Sequence, residues 1–504
     1  MSQRAVIVGV GQLRRRPGPD GEWQPLEPSR LVARCLEAAA ADAGRPDLVR
    51  EADAIGWIPA VAWGYQDPGS AVAAALGRPA PRVSWSCKAG GESGVQVIND
   101  AATRIAAGEI EIALVGGCET LYSRMRAAKE GVDLGWTPGG DDIRHLFEGQ
   151  RPFSNDAERK HGVVLPIYAY PMMENAIRAE AGRSIADHQH FLGRLYARFS
   201  EVASANPLSW FQEERSAADI ETVDDKNRMV GFPYPKRMNA IMEVDQGAAA
   251  IVMSVAAADR LGIAPSRRVG ILGGGRSVDG WSVSERARLT SSPAYEAATA
   301  ATLRHAAIEP KDVDLFDFYS CFPSVVQFAM RALKLSLDDP RGLTQTGGLA
   351  HHGGPGNAYS MHGIANVVNA LRSGRGKVGW VSGLGMTATK HAIVALSTDP
   401  ARIRTSDGGV TEVELPKDLR DGPEIVERPA GKAQVESYTV AFGRSSQPEK
   451  SMFLLRLADG RRALANGHNT PEEFRALTES EGVGRRGSVT AGEGDQPNRF
   501  TLGG

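Results

Sequence analysis

Cysteine is scarce in this chain: four among 504 residues, at Cys35, Cys87, Cys118 and Cys321. So few and so scattered, they rule out a disulfide framework, and without a CxxC pair they speak against a structural zinc site. No metal is expected. Charge of one sign is not in excess either. The 58 Lys and Arg against 60 Asp and Glu leave a formal net charge of −2, which gives no footprint for a nucleic-acid or anionic-membrane partner. No apolar run reaches the roughly 18 residues that cross a bilayer. The opening MSQRAVIVGVGQLRRR carries a short run of strand character and no cleavable hydrophobic region. These absences lead to the expectation of a soluble protein of a reducing compartment, the cytoplasm.

What is present is an alternation. AVIVGVG (5–11), AIGWIPAV (54–61) and IALVGG (112–117) are short and β-branched, as buried parallel strands of an α/β sheet are. SRLVARCLEAAAADAG lies between the first two with apolar residues at helical spacing, Ser29 as N-cap and Gly44 as its stop. The pattern then repeats. GVQVINDAATRIAAG followed by EIEIALVGGCE has its counterpart in HGIANVVNALRSG followed by KVGWVSGLGMT. Two copies of one α/β unit predict a pseudo-twofold pair, residues 1–265 and 266–400. From about 120 to 240 the alternation stops, which marks an inserted loop domain with a helix through IADHQHFLGRLYARFSEVASANP.

Beyond about 400 the composition changes. QVESYTVAF (434–442) and SMFLLRLADG (451–460) read as two strands, ADGRRAL as a turn into a third, and Thr470 to Glu473 as a capping box with Pro471 at N1. Residues 401–504 are expected to form an additional β-rich, OB-like module. Its balanced charge argues against nucleic acid. Its last stretch, GVGRRGSVTAGEGDQPNRFTLGG, reads as a loosely held tail. GILGGGRSVDG (270–280) lacks the GxGxxG spacing and is not read as a dinucleotide loop.

These landmarks together resemble the thiolase superfamily over roughly residues 1–400. GESGVQVI (91–98) is similar to the family's CGSGLQAI, AAGEIEIALVGGCETL (106–121) to its AGG-x-E strand, and NAIMEVDQGAAAIVMS (239–254) to its NA…DGAAA stretch. DLFDFYSCF (314–322) resembles the NEAF or HDCF segment, GGLAHHGGPG (347–356) the GG…GHP loop, and VSGLGMT (381–387) the C-x-GGGMG strand. The extra module points to thiolase-like proteins of type 1. The resemblance implies a layered α-β-α-β-α fold and chemistry on coenzyme A thioesters in lipid metabolism, nominally as an acyltransferase. Coenzyme A would be substrate or ligand, with no other cofactor.

The family's catalysts carry an acyl group on cysteine, move a proton with a second cysteine, and hold the oxyanion with histidine. Aligned without a gap, the nucleophile falls on Gly91, the GHP histidine on Gly354, the base cysteine on Val381, and the NEAF Asn-Glu pair on Tyr319 and Ser320. An alternative register uses Cys87-Lys88-Ala89-Gly90 and needs a four-residue insertion before Gln96. The resemblance thus implies that classical thiolase activity is absent.

A binding pocket can outlast those side chains. Backbone N–H groups about Gly91, Ser93 and Gly94, and at the Gly383–Gly385 turn, can receive a thioester carbonyl, and Gly354 is a further candidate for substrate binding; the same glycines can equally serve tight turns alone. Tyr319 matches a tyrosine of retro-aldol relatives and is either an acid/base or a space-filler. Glu92 suits the first turn of a helix electrostatically or acts in catalysis. His351 and His352 can replace the lost imidazole if turned inward, and His362 caps its helix or faces the core. Cys321 reads as a buried core thiol, with Cys87 a residual candidate. Three readings stay open: an acyl-CoA-directed enzyme of altered chemistry, a retro-aldolase or other lyase using Tyr319, and a non-catalytic CoA or acyl-CoA binder with a protein partner at its C-terminal module. The chain is expected as monomer or homodimer. Convergence of Tyr319, Glu92 and His352 within about 4–6 Å beside Gly91 and Gly354 would favour the enzyme.

Overall fold

The computed structural model describes residues 3–18, 21–139 and 152–503. Residues 140–151 of the expected insert and the final glycine of the expected tail lie outside them. The first half supplies β1 (Ala5–Arg14), β2 (Ala54–Ile58), β3 (Val83–Ser86) and β4 (Ile112–Thr120). The insert carries the helices Pro166–Glu180 and Ile185–Ala205 and a short hairpin, β5 (Met229–Gly231) and β6 (Tyr234–Pro235). The chain then returns through β7 (Asp245–Ser254). The second half supplies β8 (Val269–Val278), β9 (Leu315–Asp317), β10 (Val378–Gly385) and β11 (Lys390–Ser397), and β12 (Val410–Val413) pairs with β8. Five strands follow: β13 (Gly431–Phe442), β14 (Pro448–Leu457), β15 (Arg462–Asn466), β16 (Arg486–Thr490) and β17 (Arg499–Leu502).

The strands of the two halves run in the order β3-β2-β4-β7-β1-β8-β11-β10-β9. The halves join where Val6 and Ile7 pair with Gly270 and Val269. The helices Ser93–Ala106 and Tyr359–Arg372 pack on each other and on strands of both halves. Both are therefore buried over most of their surface, with Val95, Val97, Ile98, Ile364, Val367 and Val368 each fully buried. The helix Pro28–Asp42 covers the outer face of the first half and Pro293–Ala306 that of the second. Five layers result, with the central pair of helices as the middle one.

Several expectations are corrected. β2 is parallel to β3 and β4, but β1 is antiparallel to both β7 and β8; an apolar run reports burial on both faces and carries no direction. Ser29 does not cap its helix. Pro28 takes the first helical position, with Glu27 before it, and the Ser29 N–H donates to the Tyr65 hydroxyl. Gly383 and Gly385 lie within β10, paired with Ala392 and Lys390, and the turn follows at 386–389.

The C-terminal expectation of a loose tail is also overturned. β13 pairs with β14 on one side and β16 on the other, and β15 and β17 complete a closed five-strand barrel. Val489 and Phe500 are fully buried in its core beside Tyr438 and Phe453. Two apolar anchors outweigh the polar, Gly-rich residues around them, because one buried aromatic is worth roughly 1.5–3 kcal/mol. Only half of the expected capping box forms: Thr470 accepts from the Glu473 N–H, while the Glu473 carboxylate accepts from His468 N–H instead.

Candidate functional site

The start of the Ser93–Ala106 helix is the centre of the site. Glu92 is its N-cap residue, and the turn before it is pinned by Gly90 N–H donating to Asn357 Oδ1 at 2.9 Å. Asn357 in turn donates to Pro59 O at 2.8 Å. Ser93 Oγ lies 2.6 Å from Gly90 O, closing the turn from inside. The Ser360 hydroxyl donates to Gly91 O at 2.7 Å, and a Cβ on Gly94 would strike Ser360 and Met361. The two central helices thus meet end to end, with no room for side chains between them.

Tyr319 comes from the loop after β9, where its N–H donates to Ser382 Oγ at 3.2 Å. Its phenol lies against Gly91. A Cβ at position 91 would collide with Tyr319 Oη and Cζ and stand 2.5 Å from Leu384 O. Burial raises the Tyr319 pKa well above its ordinary value, and Cys321, Glu92 and Tyr359 push the same way. The phenol is therefore protonated near neutrality and can donate a hydrogen bond but not take a proton.

Glu92 approaches from the other side. Its Oε1 is 2.9 Å from Lys390 Nζ, both side chains are less than a tenth exposed, and Lys390 also donates to Ala89 O at 2.6 Å. The carboxylate fills the space that Cβ atoms on Gly90 and Gly385 would need, and a Cβ on Gly383 would stand 2.6 Å from Glu92 Cα. These glycines are a cradle for the ion pair.

His352 is held elsewhere. Its Nδ1 is 3.2 Å from Ser209 Oγ, and its carbonyl accepts from Trp210 N–H at 2.7 Å. Tyr359 stands between it and Tyr319: the Tyr319 and Tyr359 ring centroids are 5.5 Å apart and those of Tyr359 and His352 6.1 Å. His362 follows at 5.1 Å, with Nδ1 2.7 Å from Gln12 Oε1. Burial keeps both imidazoles neutral, His352 well below the ordinary range and His362 at about 3. Gly354 rests against Ile241 and Leu349, where a Cβ would fit only tightly, 3.3 Å from Ile241 O.

The structure thus brings Tyr319 and Glu92 together beside Gly91, with Ser93, Gly94, Gly383 and Gly385 around them. It sets His352 one ring away and Gly354 on another wall. Cys87 is buried, its thiol raised well above the ordinary range by desolvation and by Asp100, so no thiolate forms there. The Cys321 thiol is pushed up to about 12 by burial. Sequence reasoning missed Tyr359 and Lys390. Lys390 had a signal, a lone cation opening the apolar run KHAIVALS; Tyr359 had none.

His351 opens on a different space. It forms part of the wall of a cavity of about 470 Å³ whose rim carries Arg215, Lys226, Lys236 and Arg237 against Glu213 and Asp219. Among the described residues its Nε2 has no hydrogen-bond partner. Burial, then Arg215 and Arg237, lower its pKa to about 3. No group of three or more His, Cys, Asp or Glu side chains suited to a metal occurs among the described residues, and no helix there is long and apolar enough to cross a membrane.

The model for the thiolase-like protein type 1 additional C-terminal domain matches residues 414–494. The crystal structure of a monomeric SCP2-thiolase-like protein type 1 from Mycobacterium smegmatis is similar over the whole of both chains, at 31% identity and a TM-score of 0.81. An Ltp2-ChsH2(DUF35) aldolase is 18% identical, with a TM-score of 0.58 over 79% of this chain and 99% of that one. An acetyl-CoA acetyltransferase from Syntrophomonas wolfei is 17% identical, with a TM-score of 0.56 over the same shares. These last two share the fold alone. A comparison with curated proteins gives no match.

Proposed function

This chain belongs to the family of SCP2-thiolase-like proteins of type 1, and we propose that it is a non-catalytic binding protein for coenzyme A thioesters. The observation that carries this reading is the cavity walled by His351. Four cations against two carboxylates leave its rim positive, which suits the phosphates of a CoA nucleotide. The neighbouring residue, His352, begins the file of rings through Tyr359 to Tyr319 and Gly91. These rings are packed between the cavity and Gly91, so an acyl chain reaches Gly91 only if they part, and the site behind them holds no nucleophile. Gly91 and Val381 carry no acyl group, and Cys87 and Cys321 remain thiols.

A second reading has one observation in its favour: the Tyr319 phenol lies against Gly91, with Glu92 the next residue in the chain. A phenol there can protonate an enolate leaving a retro-aldol cleavage, and one fold relative is an aldolase. The raised Tyr319 pKa leaves it unsuited to the opposite step, deprotonating a hydroxyl near neutral pH. Calorimetry with CoA and a panel of acyl-CoAs, run beside mass spectrometry of the thioesters, separates the two. Binding without turnover, weakened about tenfold or more in Arg215→Gln/Arg237→Gln, is the expected result. Turnover that vanishes in Tyr319→Phe would make it a lyase. Absence of binding across the panel would leave only an inherited fold.

A further inference from the structure

The C-terminal module is nearly neutral in sequence, with 15 Lys and Arg against 16 Asp and Glu in residues 401–504. Folding separates those charges. Where β13 and β16 begin and β14 ends, a cavity of about 790 Å³ is lined by Lys432, Arg456, Arg485 and Arg486 and, among the described residues, by no carboxylate. Ala433 and Leu457 contribute its apolar wall. Arg456 is held in place by Glu436 at 2.8 Å and by Gly460 O at 2.9 Å. Lys432, Arg485 and Arg486 form no ion pair among the described residues, and Arg485 reaches only Gly503 O, at 3.4 Å. Arg456 alone has a counter-charge, and gathering three further cations beside it opposes folding of the barrel unless an anion offsets them.

We propose that this end of the barrel binds the pyrophosphate or oligophosphate group of a small molecule. Four cations, Arg456 of them held in place, suit two or more phosphates, and guanidinium forks match phosphate oxygens in pairs. The cavity is of a size that takes a drug-sized or nucleotide-sized ligand rather than a lone ion. Among the described residues no aromatic side chain lines it, so they offer no platform on which successive bases of a single strand can stack. A discrete phosphorylated molecule fits better than a nucleic acid. The site is separate from the His351 cavity and does not depend on the thioester reading.

The test is calorimetry of the full chain with inorganic pyrophosphate and tripolyphosphate, with a single-stranded oligonucleotide as competitor. Both phosphate probes are expected to bind, tripolyphosphate more tightly, with affinity falling as salt rises. Arg485→Gln/Arg486→Gln is expected to weaken binding about tenfold or more without melting below the ligand-free parent, and Lys432→Gln to weaken it severalfold. Three results overturn the proposal. The first is no binding of either probe to the parent. The second is loss of binding in Arg215→Gln/Arg237→Gln with none in the barrel variant. The third is an oligonucleotide that displaces tripolyphosphate at lower concentration, which would make the ligand a nucleic acid.

Discussion

The hydroxyl of Tyr319 occupies the space that any side chain on residue 91 would need. The two positions are therefore one unit: a glycine at the helix start and a phenol from the other half of the chain. Gly91→Ala is expected to cost about 1–3 kcal/mol, the range for overpacking a close-packed interior. Tyr319→Ala should offset much of that cost in the double variant, and chemical denaturation of the four proteins measures the coupling. Additive costs would show that the residues do not compete for one space.

Lys390 and Glu92 form an ion pair with both side chains buried. Lys390→Met leaves a carboxylate inside the protein without its cation, and a loss of about 3–5 kcal/mol is expected. Adding Glu92→Gln should recover much of it, because the uncompensated charge is then gone. If the single and double variants melt alike, the pair is not what holds the helix start.

His351 gives a pH dependence with a defined sign. Its pKa is about 3 folded against an ordinary 6.5, so below pH 6.5 the unfolded chain binds a proton that the folded one refuses. Its contribution is complete above about pH 6.5 and is lost toward acid at about 1.4 kcal/mol per pH unit. Glu119 and Glu158, raised to about 7, and Asp245 and Asp317, raised to about 6, run the other way, losing their contribution as pH rises through those values. The readout is thus the difference between the parent and His351→Gln. That difference should shift in favour of the variant between pH 6.5 and 4, and a flat difference would mean that His351 is protonated in the fold.

Four residues of the sequence follow Phe500, which is fully buried in the barrel. Phe500→Ala is expected to cost about 3–5 kcal/mol, as other large-to-small changes in cores do. It should also open the segment after residue 480 to limited proteolysis. Unchanged stability would restore the picture of a loose tail.

The repeat of helix and strand in the two halves was legible because both copies keep apolar residues at helical and strand spacing over long windows. GVQVINDAATRIAAG and HGIANVVNALRSG became the central helices as expected. Strand direction was not legible, since β1 is as apolar as β2 and only its partners differ. The final strands escaped notice because a short strand needs only one or two inward residues, here Val489 and Phe500, and the rest of the stretch reads as turn. At the site, Tyr319, Glu92 and Gly91 were found through their motifs. Tyr359 joins them through a contact between segments forty residues apart in sequence, which no local pattern records.

The hairpin β5–β6 has a consequence for how the molecule is made. Gly231 in the insert pairs with Ala441 of β13, and Phe232 packs among the barrel's aromatics. During synthesis the hairpin leaves the ribosome about two hundred residues before its partner strand exists. For that interval it has a bare edge and an uncovered phenylalanine. A chain stopped short of β13 would keep both, so a segment about two hundred residues downstream decides whether the middle of the protein is ever finished.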